Sequence, residues 1–235
     1  MKLHLPVRLF RAVMALLLAA PAALYAAYTA PTAITIPSGY TQVTVDALND
    51  ITPYSSAAGD VAFLIDADSL ADSLLTINGL TSALKTSSAD SWYFTSYSPS
   101  SLASLSFCEA TTWLFDVSYG ESLQFTALQH LLFEGNTYST SYAYGGAIYG
   151  YSITLSDNES VSFSGNTASS SDDYAYGGAI YGNSIITLSG NGSVSFSGNT
   201  ASSSDDAYGG AIHGDGSSTI TLSGNESVSF SGNTA

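Results

Sequence analysis

Cysteine occurs once in 235 residues, at Cys108, so no disulfide can form within the chain. Basic residues are almost as scarce. Of four Lys and Arg, three (Lys2, Arg8 and Arg11) crowd the first eleven positions, and Lys85 stands alone beyond them. Past residue 27, one Lys faces 19 acidic residues, a net charge of −18 with His neutral. Such a chain repels nucleic-acid phosphates and anionic lipid headgroups, so no nucleic-acid partner is expected; cationic partners suit it better. β-Elimination on an acidic polysaccharide needs a base and a positive charge against the substrate carboxylate. With no Arg and one Lys past residue 27, that chemistry has no residues to run on. Histidine is isolated at His4, His130 and His213, and no Ser-His-Asp set, phosphate loop or zinc spacing occurs. Helical periodicity is missing too: no window places apolar residues at i, i+3 and i+4.

Long apolar runs are also lacking. The longest, Ala12 to Ala20, is short for a membrane span. It follows the basic residues and precedes Pro21 and the small residues Ala26-Ala27, which reads as a secretory signal peptide over residues 1–27.

Repetition is abundant. Gly145-Gly146-Ala147-Ile148 returns as Gly177-Gly178-Ala179-Ile180 and as Gly209-Gly210-Ala211-Ile212, a spacing of 32 each time. In counterpoint, Phe133-Glu134-Gly135-Asn136 returns at Phe163–Asn166, Phe196–Asn199 and Phe230–Asn233. Between the two lies Ile153-Thr154-Leu155, matched by Ile186-Thr187-Leu188 and Ile220-Thr221-Leu222. All three segments alternate apolar with small polar residues, as in Val161-Ser162-Phe163, the pattern of a strand with one buried face. Gly, Asn-Gly and Ser-Asp-Asp clusters between them are turn formers. A strand this short gains stability only by stacking on its counterpart one period away. The expected fold is therefore all-β, a parallel β-helix (solenoid) with three short strands per coil. The Asn of each Phe-x-x-Asn can sit at a corner and pair with the Asn above and below.

Upstream the pattern is degenerate. Glu121-Ser122-Leu123-Gln124-Phe125 reads like Glu159-Ser160-Val161-Ser162-Phe163, and Leu105-Ser106-Phe107 and Val61-Ala62-Phe63 read as the same inward strand. Leu75-Thr76-Ile77-Asn78-Gly79 reads like the Ile-Thr-Leu strand. The aromatics Trp92, Tyr93, Phe94, Trp113 and Phe115 suit a plug at the end of the stack. The organisation expected is a signal peptide at 1–27, an N-terminal cap with degenerate coils at 28–120, and regular repeats at 121–235 that stop in mid-repeat.

Chemistry-bearing clusters are few. The pairs Asp172-Asp173 and Asp205-Asp206 could serve a hydrolase or hold calcium, but they recur at one point of successive periods, which suits solvated loops. The calcium nonapeptide is absent, because Gly-Gly is followed by Ala-Ile. No enzyme activity, cofactor or metal is expected. Three Asn-x-Ser sequons, at Asn158, Asn191 and Asn225, share one repeat position and read as turn chemistry. Tyr144, Tyr176 and Tyr208 recur just before each Gly-Gly, where they suit either amphipathic contacts or a stacked ladder. His213 stands where Tyr149 and Tyr181 stand in earlier periods.

The alternating Gly-Gly-Ala-Ile and Phe-x-x-Asn tetrapeptides resemble the repeats of the chlamydial polymorphic membrane proteins, a family of autotransporter adhesins. The resemblance covers about 100 residues and implies a right-handed β-helix passenger, secreted and displayed at the bacterial outer membrane. It implies a host-cell receptor or matrix as partner, with the two tetrapeptide sets as the binding motifs. Association with the outer membrane would run through a barrel not present in this chain. A carbohydrate-active β-helix hydrolase and a passive structural solenoid are the alternatives.

Overall fold

The computed structural model describes residues 28–235; the signal peptide expected at 1–27 lies outside the described residues. The chain winds into a parallel β-helix. Every strand pairing among the described strands is parallel, and the strands gather into one eight-stranded, one six-stranded and two three-stranded sheets. Among the described residues helix is confined to one turn, Leu48–Ile51, and two short 3-10 segments.

A regular coil has three principal strands. Ile148–Ser156 lies in the eight-stranded sheet, Ser160–Ser164 in the six-stranded sheet and Thr167–Ser170 in a three-stranded one, with two-residue Ala175–Tyr176 closing the turn. The Gly-Gly-Ala-Ile and Ile-Thr-Leu segments thus feed one strand rather than two. That strand is irregular between Gly150 and Ser152, and there the coil changes length. Ile148 pairs with Ile180, an offset of 32, but Ile153 pairs with Ile186, an offset of 33. The added residue falls between Gly182 and Ile185, and Ile185, in register with Ser152, is 46% exposed. One coil later the same place opens into a loop around Asp215, splitting the strand into Ile212–Gly214 and Thr219–Ser223.

Equivalent side chains stand over one another. Phe107, Phe133, Phe163, Phe196 and Phe230 form one interior file, with ring centroids 5.1, 4.6, 4.9 and 4.9 Å apart and planes within 14° of parallel. Such spacing follows from the ladder, because stacked strands lie about 4.8 Å apart. Two buried asparagine ladders run alongside. Asn166 Oδ1 accepts from the backbone N–H (3.2 Å) and Nδ2 (2.9 Å) of Asn136, while Asn166 Nδ2 donates to Phe133 O (3.0 Å) and Asn199 Oδ1 (2.9 Å). Each side-chain amide thereby uses two donors and two lone pairs, which is how a buried amide avoids its desolvation penalty. Asn158, Asn191 and Asn225 form the second ladder, with Nδ2 to Oδ1 distances of 3.0 and 2.9 Å. These are the three sequon residues; Asn158 and Asn191 are fully buried and inaccessible to glycosylation in the folded chain.

The upstream coils follow the same plan, with one redistribution. Leu105-Ser106-Phe107 does pair with Leu131-Leu132-Phe133 in the six-stranded sheet. Leu75-Thr76-Ile77 joins that sheet too, rather than following the Ile-Thr-Leu strands, with Ile77 opposite Phe107. Conversely, Leu123-Gln124-Phe125 pairs with Ile153-Thr154-Leu155, and Val61-Ala62-Phe63 with Trp92-Tyr93-Phe94, all in the eight-stranded sheet. Alternation fixes which side chains point inward but not which side of the coil they line. Inside, Phe63, Trp92, Phe94, Phe107, Phe115 and Phe125 pack as a continuous aromatic plug. Tyr54 of the short helical segment closes the top, edge-on to Phe63 at 5.8 Å.

Two further features cover the N-terminal half. Residues 28–40 run along the outside: Tyr93 Oη donates to Thr35 O (3.1 Å), and Tyr28 Oη donates to Asp157 O (2.7 Å). Ile36 and Tyr40 pack there on Ala62, Leu64 and Tyr93, so Val61–Ile65 is buried on both faces. Lys85 is fully buried. Its Nζ donates to Ala89 O (2.7 Å), Asp116 O (3.1 Å) and Glu121 Oε2 (2.8 Å). Cys108 is buried beside Ser106 Oγ (3.0 Å), and burial pushes its thiol up to about 11, the behaviour of an inert core thiol.

Candidate interaction face

The tetrapeptides build the interior. Phe133, Phe163, Phe196, Asn136, Asn166, Asn199, Ala147, Ile148, Ala179 and Ile180 are wholly buried, and Ala211 nearly so. Among the Phe, Asn, Ala and Ile of the two motifs, those of the last coil are accessible, with Phe230 50% exposed and Ile212 and Asn233 partly so, while Gly135, Gly165 and Gly198 between Phe and Asn face outward. The Gly pairs are structural for a second reason. Gly145, Gly177 and Gly209 turn the chain with φ of 67°, 62° and 65°, which favours Gly. A methyl at Gly146 or Gly178 would fall on the backbone of the next coil, on the carbonyls of Gly178 and Gly210 respectively. Side chains without exposed surface cannot meet a partner, so any contact would fall to what these motifs hold outward.

What they hold outward is aromatic. The Gly-Gly corner folds the chain so that the Tyr before it and the Tyr after Ile meet: Tyr144 and Tyr149 lie 5.9 Å apart. Stacking then copies each ring along the axis. Tyr144, Tyr176 and Tyr208 stack at 5.4 and 5.2 Å within 11° of parallel. Tyr149, Tyr181 and His213 stack beside them at 5.7 Å each, within 9°. The two files touch, as Tyr144 with Tyr181 at 4.8 Å and Tyr176 with His213 at 4.9 Å. At the upstream end Trp113 stacks on Tyr149 (5.2 Å) and Tyr138 (4.1 Å); at the side, Tyr142 and Tyr174 extend the patch. Both columns of equivalent positions are legible in the sequence; that the two files meet is the main addition of the structure.

Carboxylates rim the rings. Tyr208 Oη donates to Asp206 Oδ2 at 3.2 Å, and Asp172 Oδ2 accepts from Ser171 Oγ at 3.0 Å. Tyr181 and Tyr144 titrate above the usual phenol range because burial disfavours the phenolate; Asp215 adds to both, by repulsion. The Tyr208 phenol is raised by its hydrogen bond and proximity to Asp206. Burial lowers the His213 imidazole, against the opposing pull of Asp215. The surface therefore combines aromatic rings and hydroxyls, partly exposed except for buried Tyr181, with a border of anions. Asp172-Asp173 and Asp205-Asp206 lie on the loops between the same strands, and no group of three or more His, Cys, Asp or Glu among the described residues is placed to hold a metal ion.

Residues 152–183 and 193–215 match the Chlamydia polymorphic membrane protein repeat. These are polymorphic membrane protein-type repeats. The matched residues include Tyr176, Tyr181, Tyr208 and His213, so the polymorphic membrane protein repeat and the aromatic face occupy the same coils. No curated protein and no solved structure matches the chain.

Proposed function

We propose that the chain is the passenger region of a bacterial surface autotransporter that adheres to host cells or extracellular matrix. The observation that carries this reading is the coincidence of the polymorphic membrane protein repeat with a partly exposed aromatic face on a rigid solenoid. Tyr rings supply large contact area at small conformational cost, which suits a recognition surface. On this reading the β-helix is a stalk, its outer surface the adhesive element, and its place the outer membrane or the cell exterior. The chain is a binding protein rather than an enzyme: its paired aspartates recur coil after coil, whereas a catalytic pair is needed once.

Beads coated with the purified chain test it. They are expected to bind epithelial cells or matrix-coated wells above albumin-coated beads. Equal retention of the two bead sets on both surfaces ends the adhesive reading.

A further inference from the structure

The adhesive reading leaves the partner's chemistry open, and the charge distribution narrows it. Among the described residues Lys85 is the one basic side chain other than His, and it is spent inside the coil on Glu121 and backbone carbonyls. Among the described residues no Lys or Arg is therefore available to neutralise Asp173, Asp206 or Asp215 at the border of the aromatic face. A partner with exposed carboxylates or phosphates meets repulsion there, and an uncharged one leaves the border unpaired.

We infer that the aromatic face docks a basic protein segment, with Arg side chains laid across the Tyr files and their guanidinium groups against the flanking aspartates. This rests on the adhesive reading of the same face. Arg fits better than Lys, because its planar, weakly hydrated cation stacks on rings and pairs with carboxylates in two-point geometry. Protein is favoured over a divalent cation because the carboxylates are spread along the axis over successive coils instead of converging on one point.

The test uses the full chain and a fluorescent oligoarginine peptide, with oligolysine in parallel. Three triple variants are compared: Asp173→Asn with Asp206→Asn and Asp215→Asn; Tyr144→Leu with Tyr176→Leu and Tyr208→Leu; and, as a charge-matched control on exposed distant positions, Asp46→Asn with Asp68→Asn and Asp72→Asn. Circular dichroism confirms that each is folded. The first variant is expected to weaken oligoarginine binding about tenfold, the Tyr variant about threefold, and the control less than about twofold. Oligoarginine is expected to bind more tightly than oligolysine, and both more weakly in high salt. Equal losses in the face and control variants overturn the inference, since binding would then follow net charge alone. So does binding that a calcium chelator abolishes. In the bead assay, adhesion indifferent to competing oligoarginine retires this inference and leaves the adhesive reading intact. Beads that never adhere retire the adhesive reading, while the peptide titration still reports on the face.

Discussion

Asn166 shows how much of this fold depends on one side chain being the right size with two donors and two acceptors. Replacing it by Ala leaves the Asn136 backbone N–H and one Nδ2 hydrogen without their acceptor and takes a donor from Phe133 O, while Asn199 Oδ1 keeps only the backbone N–H of residue 166. These two donors are buried, and each unsatisfied one costs about 1 kcal/mol or more, so Asn166→Ala is expected to lose about 2 kcal/mol or more of unfolding free energy. Urea denaturation measures it; a loss below about 1 kcal/mol would mean that water replaces the amide. Asn158 and Asn191 carry the same duty, although as sequons they invite a different interpretation. Their repeat position was plain in the sequence. Their burial was not, because a turn Asn and a ladder Asn are identical until the neighbouring coil is in place.

The coil is the unit of packing, and its energetics are graded along the axis. Phe163 is enclosed between Phe133 and Phe196, whereas Phe230 has a ring on one side and is half exposed. Phe163→Ala is expected to cost about 3–5 kcal/mol and Phe230→Ala about 1 kcal/mol, since only a fully buried truncation leaves a cavity. Comparable losses at both sites, in the same denaturation assay, would mean that the open end is covered in solution. The in-and-out alternation of the coils was legible from Phe107 to Phe230 because each apolar position repeats against a polar one. The side of the coil was not. Phe125 and Phe163 carry nearly identical local sequences, yet one lines the eight-stranded sheet and the other the six-stranded sheet. Only the ladder partner distinguishes them. The aromatic face was half legible for a similar reason: Tyr144, Tyr176 and Tyr208 announce themselves before Gly-Gly, but Tyr149, Tyr181 and Trp113 join them only once the corner folds.

For the molecule as a whole, acidity produces two opposing responses. Burial lowers His130 and His213 below the ordinary imidazole value of 6.5. The unfolded chain therefore takes up those protons first, so the stability present above 6.5 is lost as pH falls through the lowered folded values. Glu134 and Glu159 are raised above 4.5, and Asp116 above 3.8, chiefly by burial. Here the folded chain protonates first, and stability returns as pH falls through the raised values. The urea midpoint is expected to drop between about pH 8 and pH 5 and to recover on further acidification. His130→Gln, which keeps a polar group near Ser160 Oγ, is expected to flatten the first limb. A midpoint that only rises from neutral pH downward contradicts the histidine assignment.

Trypsin cuts after Lys and Arg. Between Tyr28 and Ala235 only Lys85 qualifies, and carbonyls and Glu121 wall in its amine. The wound chain gives such proteases no accessible side chain to grip. Even after boiling in detergent, digestion of this stretch leaves two pieces, 28–85 and 86–235, both long for peptide mass fingerprinting. A coat made of these coils would survive in a trypsin-rich fluid and be under-counted by a routine tryptic proteome.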